Sequence, residues 1–201
     1  MKKLAMSLLL TVFGIASASA TVLSTTVNVD NVFSLYVSTN DSVLGTLVSF
    51  GDTWPTTYTG SATLTNGVTN YIHLVTTNQG GPGGFLGDFK LSDSAFTFAN
   101  GTDTLLTGVN GWSQNTTGFG TPYGAVVGEG LNGVAPWGTR SGYGADTPTW
   151  IWNYVSNNSS DSQTVYFSAE IDSTPIPEPA SLALMGLGLA GAAFARRRKQ
   201  K

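Results

Sequence analysis

Apolar and polar residues alternate along several short stretches of this 201-residue chain. Apolar side chains take every second position in residues 33–37, 72–74 and 165–171, with polar residues or tyrosine between them. Because successive side chains of a strand point to opposite faces of a sheet, this period of two predicts antiparallel strands with one buried face. Polar dipeptides typical of turns separate the strands, and each begins with an Asn, at positions 40, 66, 100, 132 and 157. Many short strands with polar turns predict an all-β sandwich or barrel.

The segment 108–144 departs from this pattern, because it is rich in glycine. It also carries five aromatic residues: Trp112, Phe119, Tyr123, Trp137 and Tyr143. A structureless loop of this length is uncommon inside a compact domain. The segment therefore forms either a set of long loops or short strands joined by bulges.

The start of the chain has the layout of a secretory signal peptide. Lys2 and Lys3 supply the charged region, and residues 4–15 supply the apolar region. Ala18 and Ala20 are the small residues that signal peptidase accepts at its cleavage site. We expect signal peptidase to remove this segment.

Three features follow one another near the other end of the chain. Pro177-Glu178-Pro179 stops any helix from running back, because proline fixes φ and lacks a backbone donor. Residues 180–195 are apolar and span roughly 24 Å as a helix. This is short of the ~30 Å hydrocarbon core, but flanking basic residues reach the headgroups. We expect a transmembrane helix with a cytoplasmic basic stop formed by Arg196, Arg197, Arg198 and Lys199. An ordinary C-terminal anchor is the alternative.

In this order the three features resemble the PEP-CTERM sorting tail, and residues 176–184 carry the closest match. The resemblance implies processing by an exosortase near Pro177-Glu178-Pro179, outside the inner membrane of a Gram-negative bacterium. It also implies that the released protein joins the cell surface or an extracellular polysaccharide matrix. The expected organisation is a signal peptide at 1–20, a body at 21–174 and a sorting signal at 175–201.

The body is strongly acidic. Its only strong bases are Lys90 and Arg140, and they face eleven acids, so the body carries −9 against −3 for the whole chain. Such a charge repels phosphate backbones and argues against nucleic acid as a partner. The chain also has no cysteine, so the fold depends on its core rather than on disulfides. A Ca²⁺ ion or a neutral glycan suits this composition better.

Several stretches of the body resemble the galactose-binding-like jelly roll. Residues 30–37 are similar to that family's strand "DN-x-F-x-L-Y-V", although a longer turn follows here. Residues 67–78 resemble its strand "G-x-N-x-I-x-V", with one extra residue before Asn70. Further matches are Trp54 and the segments 80–87, 136–138, 150–152 and 165–167. The resemblance implies a jelly-roll β-sandwich often used to bind carbohydrate, with its ligand on end loops or on a concave sheet face.

Aromatic rings are the candidate glycan contacts, because the C–H face of a sugar stacks on a ring held rigidly by the scaffold. Trp112, Trp137 and Tyr143 lie in the glycine-rich segment, with Arg140 among them. The alternative is that these rings cover the core, as large aromatics in a small sandwich mostly do.

Carboxylates near the first and last strands are candidate ligands for a structural calcium ion, which takes oxygen ligands. They are Asp30, Glu170 and Asp172. Jelly rolls of the resembled kind often hold such an ion. Solvated surface acids are the alternative, and we expect no other cofactor.

Nothing in the sequence singles out a catalytic set. His73 is the only histidine, and a structural or surface role is its expected use. The motifs G-x-S-x-G and H-E-x-x-H are absent, and no Cys/His cluster exists for zinc. A glycosidase carboxylate pair is possible only by chance among the acids. We expect a non-enzymatic surface or matrix protein, structural or adhesive, associated with exopolysaccharide or biofilm. A carbohydrate-binding module and a polysaccharide-active enzyme are the alternatives.

Overall fold

Strands account for all the regular structure in residues 20–120, 122–153 and 163–174, which the computed structural model describes together with 185–189. They are β1 (Val22–Asp30), β2 (Val32–Ser38), β3 (Thr46–Gly51), β4 (Tyr58–Thr63), β5 (Asn70–Asn78), β6 (Gly84–Leu91), β7 (Phe96–Phe98), β8 (Thr104–Leu106), β9 (Ser113–Asn115), β10 (Gly124–Ala125), β11 (Val127–Leu131), β12 (Thr149–Trp152) and β13 (Gln163–Ser173). All of them lie within the compact unit Ala20–Pro175.

The strands form two antiparallel sheets. Sheet A has the order β11-β12-β6-β1-β4, with β8 paired to β6. Sheet B has the order β10-β9-β13-β5-β2-β3, with β7 paired to β13. Buried residues from both sheets share one core, so the sheets pack face to face. The predicted all-β sandwich is confirmed, whereas its assignment as a galactose-binding-like jelly roll remains a prediction.

The alternating stretches of the sequence form strands β2, β5 and β13, as predicted. Phe33, Leu35 and Leu74 are at most 1% exposed and point into the core. In β13, Val165 and Phe167 are fully buried. Aromatic rings from both sheets meet in the middle, with Phe85 of β6 lying 5.3 Å from Phe167 between ring centroids. The period of two therefore identified the inner face of sheet B correctly.

The glycine-rich segment combines both predicted alternatives. Its first part forms the short strands β9, β10 and β11. A shift of register between Gly128 and Gly130 in β11 marks a bulge against β12. After β11 comes the loop 132–148, which returns the chain to β12. This loop, rather than a strand, carries Trp137, Arg140 and Tyr143.

Trp150 and Trp152 of β12 are both fully buried, but they lie in different environments, although residues two apart on a strand usually face the same side. Trp150 belongs to a separate apolar cluster with Trp137. Trp152, the last residue of β12, lies in the core with its ring centroid 5.7 Å from that of Phe167. Gly83 leaves room for this indole, because a Cβ at that position would overlap the ring.

Most of the predicted targeting residues lie outside the described residues. They are Ala18, Pro177, Glu178, Pro179, Arg196, Arg197, Arg198 and Lys199. Ala20 is described and is exposed. Residues 185–189 are helical, with the side chain of Leu187 70% exposed. Within the described ranges, no helix has the length and apolar character needed to cross a bilayer.

Candidate functional site

Trp112, the first of the predicted glycan contacts, lies in the core. It is 5% exposed, and its ring meets the rings of Phe85 and Phe89 at 5.0 and 5.1 Å between centroids. Its indole Nε1 donates a hydrogen bond to the carbonyl oxygen of Leu106 at 3.2 Å. The ring is therefore held between the sheets and offers no open face to a sugar.

Trp137 and Tyr143 lie in a second buried group, which we call the indole cluster: Leu86, Trp137, Tyr143 and Trp150. Leu86 follows Phe85 on β6, and Phe85 points into the core, so the indole cluster covers the outer face of sheet A. The indoles of Trp137 and Trp150 stack at 4.6 Å with an interplanar angle of 17°. Trp137 and Tyr143 are each 3% exposed.

Polar contacts fasten the loop 132–148 to sheet A. The Trp137 Nε1–H donates to Asp30 Oδ2 at 3.0 Å. The Tyr143 hydroxyl lies 2.9 Å from Asn28 Oδ1 and 3.2 Å from the Leu86 carbonyl oxygen. Burial raises the pKa of Tyr143, so its hydroxyl stays a hydrogen-bond donor. Burial also raises the pKa of Asp30, and the Trp137 hydrogen bond opposes that shift.

Arg140, in the same loop, packs against the segment that precedes β4. Its guanidinium carbon lies 5.1 Å from the ring centroid of Trp54, and its Nη1 donates to the Pro55 carbonyl oxygen at 3.3 Å. The structure thus uses Trp137, Arg140 and Tyr143 to attach the loop 132–148 to the rest of the body, whereas Trp112 lies apart from them in the core. None of the three candidate rings lies open to a sugar, because each is buried against apolar surface, in line with the alternative that these rings cover the core.

The predicted calcium ligands do not converge. Asn31, next to Asp30, donates its backbone N–H to the Thr77 carbonyl oxygen, and Thr77 lies opposite Thr164. Asp172 is eight residues further along β13, or about 26 Å away at the rise of a strand. Asp30 and the pair Glu170 and Asp172 therefore lie near opposite ends of the sandwich and share no ion. Across the described ranges, no three His, Cys, Asp or Glu side chains form a group suited to a metal.

An open polar site lies instead on the outer face of sheet B. His73 of β5 and Ser168 of β13 are cross-strand partners, and both alternate with residues that point into the core. Asp41, in the turn between β2 and β3, reaches them. Its Oδ1 lies 3.3 Å from His73 Nε2, and it accepts hydrogen bonds from Ser168 Oγ at 3.3 Å and from the Tyr123 hydroxyl at 2.9 Å. One carboxylate oxygen thus joins a turn, a loop and two strands.

Aromatic rings enclose His73, which is fully buried. The ring of Phe119 stacks on it at 3.9 Å with an interplanar angle of 14°, and Tyr71 stacks at 6.0 Å. Phe119 also meets Tyr166 edge to face at 5.3 Å. Burial lowers the pKa of His73, and the contact with Asp41 opposes that shift. This environment fits the structural role expected for His73.

Beside Asp41 the surface opens into a cleft of about 280 Å³, which we call the Asp41 cleft. Its polar and aromatic lining is Asp41, Trp112, Ser113, Tyr123, Ser168 and Glu170. The Asp41 side chain is 31% exposed, and Glu170 is exposed. None of the three contacts of Asp41 uses Oδ2. The cleft therefore combines hydroxyl groups, a fixed carboxylate and a phenol ring at an accessible surface.

A larger cleft of about 450 Å³ lies between the edge strands β3 and β4. Its lining is neutral and lacks aromatic rings; its polar members are Ser38, Thr39, Asn40, Thr46, Ser61, Thr63, Thr65 and Asn70. Carbohydrate sites combine apolar or aromatic surface with a few placed polar groups. The Asp41 cleft fits that description better, although it is smaller.

We expect the burial of His73 to make stability fall as the pH falls. Its folded pKa lies below the usual 6.5, so the unfolded chain binds the proton more tightly. The contribution of neutral His73 is complete above about pH 6.5 and is lost as the pH falls through the folded pKa. The titratable groups next to it among the described residues are Asp41, its cross-strand partner Tyr36, Tyr71 and Tyr123.

The test compares the wild type with His73→Gln by urea denaturation between about pH 7.5 and about pH 5. The wild type should lose stability over this range relative to the variant, which lacks the titrating ring. Parallel pH profiles for the two proteins would show that His73 does not titrate differently in the folded and unfolded states.

Comparison with known proteins concerns the far end of the chain. Residues 175–199 match the PEP-CTERM protein-sorting motif. Comparisons with curated proteins and with solved structures gave no match to the chain. The matched residues include Pro177-Glu178-Pro179, which confirms the predicted sorting tail. The chain therefore carries a PEP-CTERM sorting motif and is an exported protein that is anchored transiently through its tail and processed by exosortase.

Proposed function

We propose that the protein is a non-enzymatic component of the cell surface or extracellular matrix, with a structural or adhesive role in exopolysaccharide or biofilm. The sorting motif at residues 175–199 carries this proposal, because it directs the β-sandwich out of the cell. The body also suits this environment. It has no cysteine to oxidise, and its charge of −9 disfavours binding to nucleic acid or anionic lipid.

The route follows from both chain ends. Signal peptidase removes residues 1–20 as the chain crosses the inner membrane of a Gram-negative cell. Ala18 and Ala20 are the small residues at the cleavage site. The tail then holds the body at that membrane until exosortase acts near Pro177-Glu178-Pro179. In fractionated cells, the mature body should be found in the surface or matrix fraction without either end. A cytoplasmic protein that retained both ends would overturn the proposal.

Carbohydrate binding is the second candidate function, and the accessible Asp41 cleft favours it. Sugars are bound by hydroxyl and carboxylate groups placed beside a ring, and Asp41, Tyr123 and Glu170 supply these groups. We expect the processed protein to bind at least one glycan on an array of surface and matrix polysaccharides, with titration calorimetry to confirm the hit. A uniformly flat array would leave only the structural role.

We do not assign catalysis to the cleft. A retaining or inverting glycosidase uses a general acid whose pKa is raised, usually by burial. Asp41 and Glu170 are the two carboxylates in the lining, and both are accessible to solvent. A bound glycan should therefore stay intact, and the release of new reducing ends would revive the alternative of a polysaccharide-active enzyme.

A further inference from the structure

We propose that the Asp41 cleft binds a cationic amino sugar, with the ammonium group of the sugar beside the carboxylates of Asp41 and Glu170. The inference rests on the proposed carbohydrate-binding function and adds the class of sugar. Four observations lead to it: the sign of the local charge, the location of the bases, the fixed geometry of Asp41 and the size of the opening.

The region around the cleft is negative. Asp41 and Glu170 line it, and Asp172 lies two residues beyond Glu170 on β13. Tyr71, on the adjacent strand β5, lies close enough to all three carboxylates for their charges to affect its pKa. Its pKa is raised by burial and also by the charges of Glu170, Asp41 and Asp172. Three carboxylates thus act on one small area of sheet B.

The bases of the body lie elsewhere and are already paired. Lys90 Nζ lies 2.8 Å from Asp88 Oδ2 and 2.6 Å from Asp146 Oδ2. Arg140 packs on Trp54 at the outer side of sheet A. Neither base lines the Asp41 cleft. A cationic ligand would therefore find uncompensated carboxylates there, whereas a sugar acid would be repelled.

Asp41 is fixed before any ligand arrives. Contacts with His73, Ser168 and Tyr123 hold its Oδ1, so binding costs little side-chain entropy. None of these three contacts, all made by described residues, uses Oδ2, and we assign this oxygen to a donor from the ligand. An ammonium group supplies such a donor, and a charge-assisted hydrogen bond is stronger than a neutral one. Ser113 and Tyr123 also line the cleft. The Ser113 hydroxyl donates to the Ser168 carbonyl oxygen and the Tyr123 hydroxyl donates to Asp41, so a sugar hydroxyl would meet both oxygens as acceptors.

The size of the opening limits the ligand. About 280 Å³ is just below the ~300–1,000 Å³ typical of sites for drug-sized ligands, so one sugar unit fits with its chain running outward. A divalent metal is a poorer occupant, because Ca²⁺ takes six to eight oxygen ligands. The described ranges hold no group of three acidic or histidine side chains arranged for a metal. An organic cation with hydroxyl groups satisfies the site with fewer protein ligands.

The experiment measures binding of the processed protein to a β-1,4-linked glucosamine oligomer and to its N-acetylated counterpart by titration calorimetry. Acetylation removes the positive charge and keeps the sugar chain, so the pair isolates the ammonium group. We expect the N-acetylated oligomer to bind about tenfold more weakly, and we expect added salt to weaken binding of the glucosamine oligomer.

Two variants locate the site. Asp41→Asn removes the charge but keeps an Oδ1 acceptor for Tyr123 and Ser168, and Glu170→Gln changes an exposed side chain. Each should weaken binding of the glucosamine oligomer about fivefold to tenfold. Asp52→Asn is the matched control, because Asp52 is exposed, lies outside the cleft lining and carries the same charge. If Asp41→Asn lowers the melting temperature, Glu170→Gln still tests the site.

The outcomes separate this inference from the function on which it rests. Equal binding of both oligomers would overturn the cationic ligand and leave carbohydrate binding intact. If neither oligomer bound, the inference would fail, while a glycan array hit would still support the broader function. Wild-type affinity in both cleft variants would place the ligand elsewhere. If the protein bound Ca²⁺ saturably in the absence of sugar, and both variants lost this binding, the ligand of the cleft would be a metal ion and the inference would be overturned.

Discussion

Trp137→Ala is expected to lower the free energy of unfolding of the body by about 3–5 kcal/mol. The indole is 3% exposed and stacks on Trp150 at 4.6 Å, so its removal leaves a cavity between the loop 132–148 and sheet A. The substitution also removes the N–H that donates to Asp30 at 3.0 Å, and this carboxylate is 8% exposed. A buried carboxylate that loses its donor costs additional free energy. Urea denaturation followed by circular dichroism measures the loss.

Phe50→Ala is the control for this substitution. Phe50 is also aromatic, but its side chain is 53% exposed on β3, so its removal should change stability by less than about 0.5 kcal/mol. Trp137→Phe keeps a ring against Trp150 and removes only the donor, and it should fall between the two. A Trp137→Ala protein of wild-type stability that had lost glycan binding would instead show an open sugar platform, against the packing described above.

The sorting tail carries the second large effect. Replacing Pro177-Glu178-Pro179 by three alanines should leave nearly all of the protein in the inner membrane, because these residues belong to the sorting motif through which exosortase processes the chain. The substitution also exchanges two prolines, which restrict φ and lack a backbone donor, for alanine, the strongest helix former. Immunoblots of membrane, surface and medium fractions from cells that express exosortase measure the retention.

Lys201→Ala is a suitable comparison, because Lys201 is part of the tail but lies outside the matched residues 175–199. Its release should equal that of the wild type. If the triple-alanine variant appeared in the medium at the wild-type level, the motif would not be required for processing in this chain.

Local sequence pattern was sufficient to predict the inner face of sheet B. Residues 165–171 alternate strictly, and they form the middle of β13 with Val165, Phe167 and Ile171 fully buried. The outer face of sheet A was harder to predict. Phe85 and Leu86 are adjacent apolar residues on β6, and such a pair indicates that both faces of a strand are covered. The signal was present, but it does not say which segment provides the cover.

The Asp41 cleft depends on contacts that no local pattern contains. Asp41 meets His73, Tyr123 and Ser168 across sequence separations of 32, 82 and 127 residues. Sequence alone showed an Asn-Asp turn, a lone histidine and a tyrosine in a glycine-rich segment, without any reason to combine them. The same limit explains the predicted calcium ligands, because composition placed acids on the first and last strands but not at the same end of the sandwich.

The way in which the loop 132–148 is attached has a consequence for survival outside the cell. Exported proteins meet extracellular proteases, which cut most readily where a long connection is exposed and only loosely held. Here the connection is pinned by Trp137 against Trp150 and by the Tyr143 hydroxyl beside Asn28. A protease binds its substrate as an extended segment, so the loop can be cut only after these contacts break and the loop unfolds locally. The durability of the body in a degradative environment should therefore depend on these few buried rings.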